Sequence, residues 1–369
     1  MSIWTRTASL SIVASLPSIC MAGVGFQVDG ALDSGYSPPV ALQGTATNFG
    51  NNDFGQPGFG NGSEMNAMHI EYTDGAIVIF VAGNLESNYN KAEFFIDARP
   101  GGQNQLLSNN PDVDFEGLLR MGNSNENATD GLIFDAGFEP DLWITVTCGD
   151  DGTGGFVTYA NYAELRTEGE GSGAFLGQGS SGAEGIINGE NGIQVAIDNS
   201  NIGGVGSGTG ADCGLGVTTG IEIVIPNFVV DWDFEGLPFD DIKVCAFING
   251  GGHDFISNQV LGSIPPGDNL GEPRGLNFNL ITGNQYGTMG DNPGECPEFA
   301  IGACCIGTNC FIASGESCEA GGGTYNGDGS SCDDDPCAIP ECPTDINEDG
   351  VTNVDDLLEL LSKFGEICV

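Results

Sequence analysis

The stretch DINEDGVTNVDD, residues 345–356, sets oxygen-bearing side chains at the spacing a calcium ion uses. With Asp345 as the first position, Asn347 is third, Asp349 fifth and Asp356 twelfth. Gly350 stands sixth, where such a loop turns sharply. Val351, seventh, offers a backbone carbonyl, and Asn353, ninth, offers its side chain or a water held by it. No His or Cys lies inside the loop, which points away from zinc and iron and toward a hard cation. The candidate metal ligands are therefore Asp345, Asn347, Asp349, Val351, Asn353 and Asp356, with Ca2+ as the cofactor. The competing reading is an acidic turn that caps a helix without metal.

A helix must follow the loop directly. Val354, Leu357, Leu358 and Leu361 recur at helical spacing and define one apolar face. Asn353 can cap it, Asp355 and Asp356 oppose the dipole at its start, and Gly365 suits its end.

The Asp-x-Asn-x-Asp-Gly pattern with Asp at the twelfth position and Leu after it resembles the repeat of dockerins, the anchoring modules of bacterial polysaccharide-degrading systems. The resemblance implies an EF-hand-like calcium site at these residues and a cohesin-like or cell-surface receptor as partner. Dockerins carry two such repeats and this chain carries one. Thr352 occupies a usually apolar position, and Val354 and Asp355 occupy the positions often used for recognition. Cys342 and Cys368 flank the repeat. A bridge between them would close a loop of about 27 residues, add ~3 kcal/mol in a chain-entropy model, and stand in for the missing second repeat. On that reading Cys342→Ser weakens calcium affinity.

The N-terminus reads as a secretory signal over residues 1–22: Arg6, an apolar run over Ala8–Ile19, and small residues at Cys20 and Ala22 before the cut. Its removal takes Arg6 and no acid, so the formal net charge moves from −44 to −45. No later run is long enough for a membrane span. The protein is expected to be secreted.

Export makes the cysteines a disulfide question. Of 13, Cys20 leaves with the signal, and nine lie in the last 74 residues from Cys296 onward. The segment 302–341 holds six of them in GACCIGTNCFIASGESCEAGGGTYNGDGSSCDDDPC. It is too short and polar to hold a core unaided, which predicts a disulfide-stapled module whose pairing stays open. It resembles a cysteine-rich repeat of bacterial secreted proteins, through GACC, the C…GG.Y.G.G..C spacing and Cys337. If Cys342 pairs with Cys368, then Cys148, Cys213, Cys245 and Cys296 are expected to pair among themselves.

The charge balance, 52 Asp and Glu against 8 Lys and Arg, repels nucleic acid and anionic membranes and leaves divalent cations or neutral partners such as polysaccharide. Most of these carboxylates need no role beyond solubility.

Residues 23–290 alternate short apolar, β-branched runs with Gly, Asn, Asp and Pro: AIVIFVAG, AEFFID, LWITVT, IEIVIP and IKVCAFI among them. The predicted fold is mainly β: an antiparallel β-sandwich, a linker at 291–301, the small disulfide-rich module at 302–341, and a single EF-hand-like (dockerin-like) loop and helix at 342–369. FQVDGALDSGY, HIEYTDGAIVIFVAGNLE and AEFFIDARPGG resemble β-sandwich domains of the family 9 carbohydrate-binding-module and DOMON-like kind. That resemblance implies sugar binding on aromatic platforms, with Trp143, Trp232 or Tyr286 as candidates; rings packed in a core are the alternative.

Glycoside hydrolysis would need two carboxylates. Glu93, Asp97, Asp135, Glu139, Asp141, Asp231 and Asp233 are available, and no pattern selects a pair. Asp135, Glu139 and Asp141 also suit a second calcium site or a plain acidic turn. No nucleophile elbow is legible. GGVGSG (203–208) lacks the lysine of a phosphate loop. His69 and His253 read as structural or exposed rather than catalytic, since no partner motif accompanies them. The expected function is an extracellular binding or anchoring protein linked to polysaccharide use, with a glycoside hydrolase or a structural surface protein as alternatives.

Overall fold

The computed structural model describes residues 26–43, 47, 49, 62–73, 75–125, 128–150, 152–153, 156–201, 217–229, 241–264, 269–293, 301–314, 318, 323–327, 330–332, 336–337, 346–347 and 351–364. The expected signal segment, Trp232, Asp231, Asp233, the 203–208 stretch and Cys213, Cys296, Cys342 and Cys368 lie outside them. The chain divides into two compact units, Met1–Pro297 and Glu298–Val369.

The first unit is mainly β. One antiparallel sheet contains β1 (Ala41–Leu42), β2 (Glu64–Thr73), β3 (Ala76–Asn84), β8 (Ile187–Asn188), β9 (Gln194–Ile197) and β10 (Gly220–Pro226), in the order β1-β2-β3-β10-β9-β8. A second contains β4 (Lys91–Asp97), β5 (Leu142–Asp150), β6 (Phe156–Glu164), β7 (Gly173–Gly179), β11 (Lys243–Asn249) and β12 (Ile256–Leu261), in the order β12-β11-β4-β5-β6-β7, with β13 (Gly287–Thr288) beside β11. A five-residue helix, α1 (Gly117–Met121), sits in the connection between β4 and β5.

Alternation along each strand explains both the apolar runs and the core. Ile77, Ile79 and Val81 of β3 and Ile221, Ile223 and Ile225 of β10 share a buried cluster with Ala92, Phe94 and Ile96 of β4 and Leu142, Ile144 and Val146 of β5. One face of each sheet therefore feeds a common core, at roughly 1.5–3 kcal/mol for each large side chain fully buried. The intervening residues are buried too. Phe95, Trp143, Cys245 and Phe247 belong to a second cluster, with Leu118, Met121, Phe134, Phe138 and Phe278 from the connections. Strands covered on both faces read as unbroken apolar runs, as these do.

The outer face of the first sheet is covered by the chain before β1. Glu222 of β10 accepts the Tyr36 hydroxyl at 2.7 Å and the amides of Asp29 (2.9 Å) and Gly30 (3.2 Å). Gly30 has φ +80°, and a Cβ there would meet the Asp198 nitrogen at 2.4 Å, so only glycine fits the close approach.

In the second unit β14 (Ile301–Ile306) lies between β15 (Asn309–Ser314) and β16 (Thr324–Tyr325) in an antiparallel sheet. Three disulfides hold it: Cys304–Cys318, Cys305–Cys337 and Cys310–Cys332. Neighbouring residues of a strand face opposite sides, so Cys304 and Cys305 reach different partners. The described part of the chain ends in a second helix, α2 (Val354–Ser362).

The expected pairing among Cys148, Cys213, Cys245 and Cys296 is corrected at two of its members. Cys148 and Cys245 are free, buried thiols. Cys148 points into the core between the sheets and Cys245 into the cluster on the opposite face of the second sheet. Both act as small apolar side chains.

Candidate functional site

Of the six expected calcium ligands, Asn347, Val351, Asn353 and Asp356 lie among the described residues; Asp345 and Asp349 do not. Asn353 is the N-cap of α2: its Oδ1 accepts the Asp355 amide at 2.7 Å, and Asp356 completes a capping box. The Asp356 carboxylate, 3% exposed, folds back over the loop. One oxygen accepts the amides of Ile346 (2.7 Å) and Asn347 (3.3 Å), and the other accepts the Asn353 amide at 2.6 Å. The twelfth position thus closes on the second and third, as a ring of oxygens around one ion requires. Asn353 Nδ2 lies 3.2 Å from the Val351 carbonyl, bringing the seventh and ninth positions together as well. Carboxylate, carboxamide and carbonyl oxygens in one closed loop fit a hard cation. They equally serve the cap, so the two readings of this loop share one geometry.

The helix that leaves the loop buries its acid and exposes its leucines. Val354, Leu357, Leu358, Leu361 and Phe364 are each more than half exposed. Position 354 onward thus presents the apolar face read from the sequence, uncovered among the described residues.

The candidate aromatic platforms fare differently. Trp143 is fully buried, and its Nε1 donates to Glu93 Oε2 at 2.8 Å, so it belongs to the core and cannot meet a sugar. Tyr286 is partly buried, stacked on Phe138 at 5.0 Å between centroids, with Lys243 Nζ 5.8 Å from its ring. An open cleft of about 510 Å³ lies elsewhere, walled by Val40, Ile70, Tyr72 and Met289, with Glu71 and Asp291 at its polar margin.

Most of the candidate catalytic carboxylates bind the fold to itself. Asp141 accepts the amides of Ala98 (2.9 Å) and Arg99 (2.8 Å), and burial pushes its carboxyl up to about 7 despite them. Asp97 accepts the Glu139 amide at 3.2 Å and faces Lys243 at 3.4 Å; burial raises its pKa. Asp135 accepts the Gln285 amide at 3.3 Å. Asp135 and Asp141 tie separate segments, and Glu139 contributes a backbone amide.

Glu93 and His253 form a group that sequence reasoning missed. His253 Nδ1 is 2.7 Å from Glu93 Oε1, its Nε2 is 3.2 Å from Asp114 Oδ2, and Lys91 Nζ is 3.0 Å from Asp114 Oδ1. Asn249 Nδ2 adds a bond to Glu93 Oε1 at 3.2 Å. All of these side chains are buried on the outer face of the second sheet. Burial alone would lower the His253 pKa, but the carboxylates on either side raise it to about 9. Asp114, Phe115 and Glu116 all have positive φ, and a Cβ at the following Gly117 would lie 2.7 Å from the His253 ring. The strained turn is held down by its first residue, through Lys91 and His253. His69, by contrast, bonds the Ser37 carbonyl at 2.8 Å, and burial lowers its pKa.

Every lysine and arginine among the described residues is engaged. Lys91 pairs with Asp114, Arg99 and Arg166 with Glu164, Arg120 with Glu272, Lys243 with Asp97 and Lys363 with Glu359. Arg274 donates to the carbonyls of Gly122 and Leu119. Among these residues no basic patch is left for a polyanion. No helix among them is long and apolar enough to cross a membrane.

No family model, no curated protein and no solved structure matches this chain.

Proposed function

We propose that the chain is an exported, calcium-binding, multi-module anchoring protein. Its first unit is a β-sandwich that binds an uncharged polysaccharide, its cysteine-rich module is a spacer, and its dockerin-like end seats on a cohesin-like or cell-surface receptor. One observation carries this reading: α2 keeps Val354, Leu357, Leu358, Leu361 and Phe364 more than half exposed while Asp356 is buried in the loop before it. A solvated tail has no use for that arrangement, whereas a helix docking into an apolar groove needs it. The net charge of −44 favours a neutral ligand for the first unit, and the Tyr72–Met289 cleft supplies an apolar wall with polar edges.

The test uses the full chain. Immobilised cohesins are probed in calcium and in chelator, and insoluble polysaccharides are assayed for retention and for release of reducing ends. Calcium-dependent capture lost in Leu357→Ser/Leu361→Ser, together with retention and no release, is the expected result. No capture and no retention overturns the reading. Release of reducing ends favours a glycoside hydrolase with the same anchor, for which Glu71 and Asp291 at the cleft are the carboxylates to change first.

A further inference from the structure

Glu64 and Asn84 face each other in register where β2 begins and β3 ends, and they are 1% and 3% exposed. The ladder is irregular between Met65 and Ala67, so Asn66 is the extra residue of a bulge. Met65 and Met68, three residues apart, both reach the core between the sheets because the bulge absorbs one position. Asn66 is left fully buried beside Glu64, to whose Oε1 its Nδ2 donates at 2.7 Å. The Asn84 Nδ2 donates to the Asn201 carbonyl at 2.9 Å.

Those two bonds fix the orientation of both amides. Turning either over would set an amide oxygen against a carboxylate or a carbonyl. The other ends, Asn66 Oδ1 and Asn84 Oδ1, are buried without a hydrogen-bond partner. Buried acceptors that lack a donor are rare and call for an explanation. A carboxylate and two buried carboxamide oxygens match the donor types calcium takes.

We propose that Glu64, Asn66 and Asn84 hold a calcium ion at this end of the β2–β3 hairpin. The site belongs to the first compact unit and stands independently of the C-terminal loop.

The test uses full-length Asp356→Ala, in which the C-terminal loop is disabled, stripped with chelator and titrated with Ca2+ by calorimetry. One equivalent of calcium is expected to remain and to raise the unfolding temperature; Glu64→Gln added to it abolishes both effects. Asn66→Asp in the same background needs no loss of function to be read. A second carboxylate beside Glu64 should destabilise the protein in chelator, bind calcium at least tenfold more tightly, and be rescued by it. The proposal is overturned if Asp356→Ala binds no calcium, if Glu64→Gln leaves binding unchanged, or if Asn66→Asp is destabilised equally with and without calcium. A calcium-grown crystal with only water at the two amide oxygens overturns it as well.

Discussion

His253 Nδ1 and Glu93 Oε1 lie 2.7 Å apart, from positions separated by 160 residues. The contact joins the turn after β11 to the outer face of β4, and through Asp114 it reaches the strained turn before α1. A charge pair in this setting needs every partner in place, because either member left alone is a buried ion.

Alkaline pH should therefore loosen the first unit. His253 has a folded pKa of about 9 against an ordinary 6.5, so its contribution is complete below pH 6.5 and is lost as pH rises through 9. The shift corresponds to ~3 kcal/mol. Denaturant unfolding followed at pH values across that window should show the decline, and His253→Gln should flatten it. An unchanged midpoint across the window contradicts the assignment.

Lys91→Met leaves Asp114 buried beside His253 with half of its compensation gone. The expected cost is roughly 3–5 kcal/mol. Because Asp114 anchors Phe115 and Glu116 in their left-handed conformations, hydrogen exchange at residues 114–121 should rise more than elsewhere in the sheet. A uniform loss of protection speaks against the latch.

Cys148 and Cys245 should resist alkylation in the folded protein and react on unfolding. Burial pushes the Cys148 thiol up to about 12 and raises that of Cys245, so neither offers a thiolate at neutral pH. Peptide mapping after labelling in buffer and in denaturant checks this. Labelling of either residue in buffer would show that the sheet around it opens.

Asp356→Ala removes half of the capping box and the carboxylate that closes the loop. Loss of the cap costs ~1 kcal/mol of helix stability. Under the proposed function calcium binding at this loop is lost at the same time, while Asp356→Asn keeps more of the cap than of the metal site. Circular dichroism with and without calcium separates the two effects. Equal helicity in both variants, with calcium making no difference, would leave the acidic cap as the whole role of the loop.

The strands were legible because their runs are apolar and bounded by turn residues, and AIVIFVAG and LWITVT form β3 and β5. Burial on both faces hid the purpose of the residues in between. For Trp143 the platform and core readings both stayed open, because nothing local shows that connections more than a hundred residues apart cover it. The Glu93–His253 pair was out of reach for the same reason: its partners meet only once β4 and β11 are neighbours. Asn66 and Asn84 were invisible because asparagine in this chain ordinarily marks a turn, and only the pairing of β2 with β3 shows Asn66 in a bulge and Asn84 opposite Glu64. The Asn353 cap and the helix after it were readable from spacing alone, since a cap and its helix are neighbours in sequence.

The full engagement of the described basic side chains has a consequence for proteolysis. A protease that cuts after lysine or arginine must first find one, and only Arg166 and Lys363 of the described set have side chains more than half open to solvent, at 58% and 64%. The remaining sites are tied into carboxylates or carbonyls of the folded β unit. In a digestive environment rich in trypsin-like enzymes, the molecule would be trimmed at its tail and nicked beside β6, while most of its length offered no foothold.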